Sequence, residues 1–477
     1  MRRILNTTVC LCAAVISMAA APSVSLRLLT TLTSYRTATG SDFRTVVIAP
    51  YLQGGRVLLP PGTIVRGKVR RVKPVGLAAM RERASMQLDF DEYELPDGRR
   101  FPLEGTLRRI ENARETVTAD GDVKGILAAN NPQSFIAGVW HLPNQELFSR
   151  SFIGLTGAGG RIFTAYSLGP IGGVALFAAR CALFRLPEPE IRLPAGVELR
   201  VVVNDLPRDA PAFAAEKPGT VDSELAGWIR QQPVDVAKLA GTPSEDMINI
   251  AFRGSREDLD RAFRAAGWFE ADRQTTRSLS RTYKAYTAQA GYMTAPVSTL
   301  LYRGTEPDVV FEKSFNTISK RHHIRVWRAE GPDGELWLAA ATHDVGVRFD
   351  SGVKFTHMIH PNIDWERSKV INDLAFAGCV EPAAFVDREA AVRQGDSASG
   401  VVTDGRVAVV SLRTSCSGPQ NTFSPDMPTP PHNHAVRIAR RMMLEGRQYV
   451  LRGNPYYLVY RLMTIKREQR QHAYLEE

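Results

Sequence analysis

Cysteine is scarce in this chain: five in 477 residues, two of which, Cys10 and Cys12, fall in the first apolar run. The remainder, Cys181, Cys379 and Cys416, is an odd number that admits at most one intrachain disulfide, so a small disulfide-framework fold is excluded. Dense basic runs are missing too. The formal net charge of +10 is spread along the whole length without basic-aromatic interleaving, which argues against a nucleic-acid groove and leaves only a weak attraction to anionic surfaces. A composition of 44% hydrophobic and 23% charged residues excludes a disordered chain.

What is there begins with "MRRILNTTVCLCAAVISMAAAP". Arg2 and Arg3 precede an apolar run from Ile4 to about Ala19, and small residues follow where a signal peptidase cuts. The segment 1–21 is expected to be a secretory signal removed after about Ala20 or Ala21; the alternative is an uncleaved anchor. Either way the body of the protein is expected to be exported, periplasmic or membrane-associated. Export favours oxidation, and Cys379 with Cys416 is the better pair because both lie in the C-terminal region.

Residues 22–206 are expected to be a β module, an all-β barrel or sandwich. Short alternating runs such as "RTVVIAPYL" and "ASMQLDFDEYEL" are broken by turn signals. One phrase occurs twice, "LPPGTIVRGKV" at 59–69 and "LPAGVELRVVV" at 193–203. Proline cannot donate to a strand ladder and glycine can take positive φ, so each phrase launches a strand from a turn. The two strands are expected to share one sheet system, split by the apolar, glycine-rich insertion near 153–186, which is expected to form a helical hairpin. These phrases resemble the TrbI-like β-barrel of conjugation and type IV secretion envelope proteins over roughly residues 40–125 and 190–205. That resemblance implies an envelope scaffold and supplies no catalytic residues. Residues 207–244, rich in proline, alanine and charge, are expected to be a linker.

Residues 245–415 alternate strands and helices, which predicts an α/β (α+β) domain with a mixed sheet, and 416–477 a partly helical tail. After the strand "DMINIAFRG", Ser255 and Asp258 have capping-box spacing, with Leu259, Ala262, Phe263 and Ala266 on one face and Gly267 at the end. A second helix is expected from about Thr276 to Gln289 with Leu279 and Tyr283 inward, and a third over 361–378 with Asn362 as its N-cap. The "GPDG" turn at 331–334 joins two strands as a hairpin. The phrases "RHHIRVW", "THDVGVRF" and "HPNIDWER", in that order, resemble the LssY C-terminal domain family over about residues 245–412. In some members this domain follows a lipid-phosphatase-type membrane domain. This chain lacks a PSGH phrase and an SR-x-H arrangement, so that activity does not transfer, and the family implies no settled biochemical activity.

Of nine histidines, five fall in one window: His322, His323, His343, His357 and His360. In simple register the hairpin sets His322 against His343 and Arg325 near Ala340. His322 and His323 are neighbours on a strand and must face opposite ways, so at most one joins any cluster. With Arg325, Asp344 and the carboxylates Asp364 and Glu366, these histidines form a candidate polar or divalent-metal cluster, its metal ligands expected to be His343, His357 and His360. No HExxH or CxxC phrase fixes its geometry. The structural alternative is a polar network, such as His343 with Asp344 and Arg348, that holds the fold. "GDSASG" at 395–400 has the spelling of a trypsin-like serine segment, yet Ala398 and Ser399 stand where a second glycine is expected. Gly395, Asp396 and Ser397 are therefore expected to be turn residues. The resulting expectation is a binding or scaffold protein with envelope proteins or a membrane surface as partners, no nucleic acid, and no cofactor unless a divalent metal. The alternative is a metal-dependent hydrolase using His343, His357, His360 and Asp364.

Overall fold

A computed structural model describes residues 23–78, 81, 83–126, 188–207, 209–332, 334–350, 354–394, 400–419 and 433–450. The leader, the 153–186 insertion and the loop of Gly395, Asp396 and Ser397 lie outside these described residues. Six strands close the N-terminal module: β1 (Ser23–Leu28), β2 (Asp42–Val47), β3 (Ile64–Lys73), β4 (Ser85–Glu94), β5 (Arg100–Ile110) and β6 (Glu198–Asp205). They run in the order β3-β2-β1-β6-β5-β4, and β4 pairs back onto β3, so the module is an antiparallel barrel with no free edge.

The duplicated phrase explains how the late strand β6 enters. In the first copy Gly62, at φ +90°, donates to Val47 O at 2.9 Å. In the second, Gly196, at φ +102°, donates to Leu28 O at 2.7 Å. The same proline-glycine turn thus hooks each strand onto the neighbour that precedes it, and only glycine takes those backbone angles without strain. Alternate residues of the six strands fill the barrel, including Leu26, Val65, Val69, Leu88, Leu107 and Val201.

The C-terminal domain is built on a mixed sheet. Its strands are β7 (Ile250–Arg253), β8 (Val309–Lys313), β9 (Arg321–Gly331), β10 (Gly334–Asp350), β11 (Lys354–Ile359), β12 (Ala384–Val386) and β13 (Val407–Ser411). The order is β8-β9-β10-β7-β13-β12, with β7 and β13 parallel and β11 on the far half of β10. The hairpin register pairs His322 with His343 and Arg325 with Ala340.

Five helices are described: α1 (Ser223–Gln231), α2 (Arg256–Ala265), α3 (Thr276–Ala288), α4 (Asp364–Phe376) and α5 (His434–Val450). Helices α2 and α4 cover one face of the sheet, where Phe252, Phe263, Trp268, Phe311, Val326 and Leu374 pack. The capping box of Ser255 and Asp258 is formed, a device of about 1 kcal/mol, and Leu259, Ala262, Phe263 and Ala266 are all buried. Helix α1 covers the other face through Leu225 and Ile229, against Trp327, Leu338 and Val409.

Three details differ from the sequence reading. The stretch 207–244 is more than a linker, because α1 and the strand Asp235–Lys238 within it cover one face of the sheet. Leu279 on α3 is 51% exposed rather than inward, since Ser278, one residue back, turns inward to its own cap with Thr275. The N-cap position of α4 is Ile363, and Asn362 instead accepts from Asp364 N at 3.1 Å, one residue ahead.

The two modules are joined by buried charges. Arg27 of β1 and Glu198 of β6 meet Lys313 of β8 and Lys369 and Asp373 of α4. Lys313 Nζ lies 2.9 Å from Glu198 and 2.8 Å from Asp373, and Trp268 Nε1 donates to Asp373 at 3.0 Å. A second junction runs from Asn316 to Glu115 at 2.8 Å and to the Arg192 carbonyl at 3.0 Å. Helix α5 returns to the barrel, where Arg440 pairs with Glu188 and Glu190 and Leu444 joins the core.

Candidate functional site

At the seam between barrel and sheet, strand alternation points His322 and His343 out of the same face. Their rings stack with centroids 4.2 Å apart and planes 17° from parallel. Helix α4 presents Glu366 to them, and His322 Nδ1 lies 2.8 Å from Glu366 Oε2. The barrel supplies the other wall: Glu111, just past the end of β5, with Arg109 of β5 and Arg200 of β6, which are cross-strand neighbours. Arg200 Nε donates to Glu111 Oε1 at 2.9 Å, and Arg109 Nε lies 3.4 Å from Oε2.

These groups line a cavity of about 20 Å³, together with His360, Asn362, Trp365 and Lys369. Glu111, His322, His343 and Glu366 are all buried. Burial by itself raises the Glu111 carboxyl, but the Arg109 and Arg200 guanidiniums outweigh it and hold it at about 2. Burial pushes the His343 imidazole well below its usual range, so the ring is neutral near pH 7. Burial also raises Glu366, against the pull of His322.

His343 therefore meets His322 and Glu111, where sequence reading set it with His357, His360 and Asp364. The Asp364 oxygens accept from Thr403 Oγ1 and Asp404 N, both at 2.7 Å, which ties the start of α4 to a neighbouring loop. His360 stacks on Trp365 at 4.5 Å along the cavity rim, and its Nδ1 accepts from Asn362 N at 3.2 Å. His357 is placed by backbone alone, opposite Val347.

His323, Arg325 and Asp344 belong to the opposite face of the sheet. His323 Nε2 lies 2.9 Å from Thr342 Oγ1, and Arg325 pairs with Asp246. Arg321 there bridges Glu312 at 3.1 Å and Asp344 at 3.3 Å. Cys379 and Cys416, at the end of α4 and past β13, form a disulfide with α-carbons 4.2 Å apart.

Glu111, Arg109 and Arg200 could not be found by reading the histidine window, because they come from the barrel and no local pattern ties them to it. Glu366 was legible as a first-turn carboxylate of the helix, but its partner was not. Chemically, two imidazoles, an ionised carboxylate and a second carboxylate behind one imidazole suit a cation or a tightly held polar network.

No curated protein matches the chain. Among solved structures, one described as ComB10 of the Com type IV secretion system of Helicobacter pylori is 12% identical and covers 41% of this chain and 95% of that one. Its TM-score is 0.20, a likeness too slight to bear on the fold. Residues 226–407, from within α1 to the start of β13, match the family model described as LssY C-terminus.

Proposed function

We propose that this chain is an exported envelope protein in which the barrel and the LssY-type domain act as one rigid binding platform. The observation that carries the reading is the buried junction of Arg27, Glu198, Lys313, Lys369 and Asp373, which draws charged side chains from both modules out of water. Charges are buried in this way only when geometry holds them together, so the two modules are not free to move apart at this seam. One feature supports export: the Cys379–Cys416 bridge suits an oxidising compartment. Among the described residues no helix is long and apolar enough to cross a membrane.

The hydrolase alternative has less support. Asp364 is committed to Thr403 and Asp404, and His343 meets His322 and Glu111 in place of the expected His357 and Asp364. Cell fractionation with N-terminal sequencing tests the platform's location. The expected result is a processed chain starting within a few residues of Ala21 and recovered from the envelope fractions. An unprocessed chain confined to the cytoplasm would overturn the reading.

A further inference from the structure

We infer that Glu111, His322 and His343 form a structural divalent-cation site that clips the barrel to the LssY-type domain. One nitrogen of each imidazole and one Glu111 oxygen lie within 4.8 Å of one another, and all three residues are buried. Proximity alone would be weak evidence. The independent observation is that the Nε2 atoms of His322 and His343 are both buried without a hydrogen-bond partner. A buried polar nitrogen left unpaired costs about 1–3 kcal/mol, and two such atoms beside one cavity need a shared explanation.

The tautomer supports a metal over a further hydrogen bond. With its proton on Nδ1, His322 donates to Glu366 and keeps a lone pair on Nε2, the carboxylate–histidine arrangement that orients metal ligands. The stacked rings offer each other no donor in line. The bonds from Arg200 and Arg109 to Glu111 leave lone pairs on both of its oxygens. A cation would share this carboxylate with the two guanidiniums, with Arg200 orienting it. Two nitrogens and one oxygen suit a borderline ion such as zinc better than calcium or magnesium. Metal bonds of roughly 2.1 Å require ligand atoms about 3.4 Å apart, so the three side chains would draw in by about an ångström on binding. Because Glu111 comes from the barrel and both histidines from the sheet, an ion held by all three would join the two modules, which makes the role structural.

The site stands on its own geometry and does not depend on where the protein acts, so a negative metal result would leave the platform reading intact, and failed export would leave the site intact. The test uses the full chain, stripped with a chelator and titrated with zinc or cobalt(II). The expected result is saturable uptake of about one equivalent, with a cobalt(II) visible spectrum of a low-coordinate nitrogen–oxygen site. Binding should fall by more than about 100-fold in His343→Ala, and by about 10- to 100-fold in Glu366→Gln, which keeps every ligand and alters only the hydrogen bond behind one. Should His343→Ala fail to fold by circular dichroism, Glu366→Gln and the cobalt spectrum decide. Absence of saturable uptake by the unaltered chain, or affinity unchanged in folded His343→Ala or Glu366→Gln, would overturn the site.

Discussion

Two adjacent residues on β8 show how strand alternation sorts buried charge. Glu312 faces one side of the sheet, where it shares Arg321 with Asp344, one cation between two carboxylates. Lys313 faces the other, in a cluster of three cations and two carboxylates. Each is the surplus charge of its group and shifts accordingly. Burial, with Asp344 nearby, raises Glu312 to about 8, while burial, with Arg27 nearby, lowers Lys313 to about 8. The consequence for Glu312 follows from linkage. The folded state holds the proton more tightly than the unfolded chain, so the stability it confers is complete below its ordinary value near 4.5 and is lost as pH rises toward 8. We expect Glu312→Gln to flatten that part of the stability profile. Urea midpoints taken from pH 5 to 8 would check this, and an unchanged slope would count against the assignment.

At the scale of elements, the barrel is tight enough that one glycine matters for its lack of a side chain. Gly67 sits at a register shift between β3 and β4, and a Cβ there would lie 2.1 Å from Asp89 O and 2.6 Å from the Phe43 ring. Phe43 meets Phe90 edge to face at 5.4 Å, so neither ring can retreat without breaking that contact. Backbone, unlike a flexible side-chain tip, cannot yield cheaply. Gly67→Ala should therefore destabilise the chain by roughly 1–3 kcal/mol, the usual range for overpacking, whereas Gly98→Ala should act only through its φ of +86°. Comparing thermal midpoints of the two variants separates crowding from backbone strain, and equal losses would refute the crowding account.

At the scale of the whole molecule, the junction charges determine whether the modules unfold together. Asp373 meets Arg27, Lys313, Lys369 and Trp268, so Asp373→Asn leaves buried cations with one carboxylate among them. Removing one partner of a buried pair costs about 3–5 kcal/mol. Lys313→Met removes the surplus cation instead and should cost clearly less. Denaturant unfolding of both variants, followed by tryptophan fluorescence, gives the comparison. We expect a single transition in the parent chain and a large loss only for Asp373→Asn; the reverse order would contradict the charge count.

What the sequence determined by itself is local or periodic. The repeated proline-glycine phrase marked two strands of one barrel despite the gap between them, because a positive-φ glycine after proline encodes the same turn at both places. The GPDG turn set the hairpin register, and period two then fixed that His322 and His343 share a face while His323 takes the other. The capping box placed α2 through hydrogen bonds made within four residues. Tertiary structure alone decided which groups the histidines meet. Glu111, Arg109 and Arg200 are brought to them by docking of the barrel, and side chains so far apart in the chain leave no joint pattern to read. Helix α4 is settled by tertiary structure for a related reason. Its Glu366, Arg367, Lys369 and Asp373 have the look of a solvated face, yet all are buried, because partners on other elements replace the water they give up.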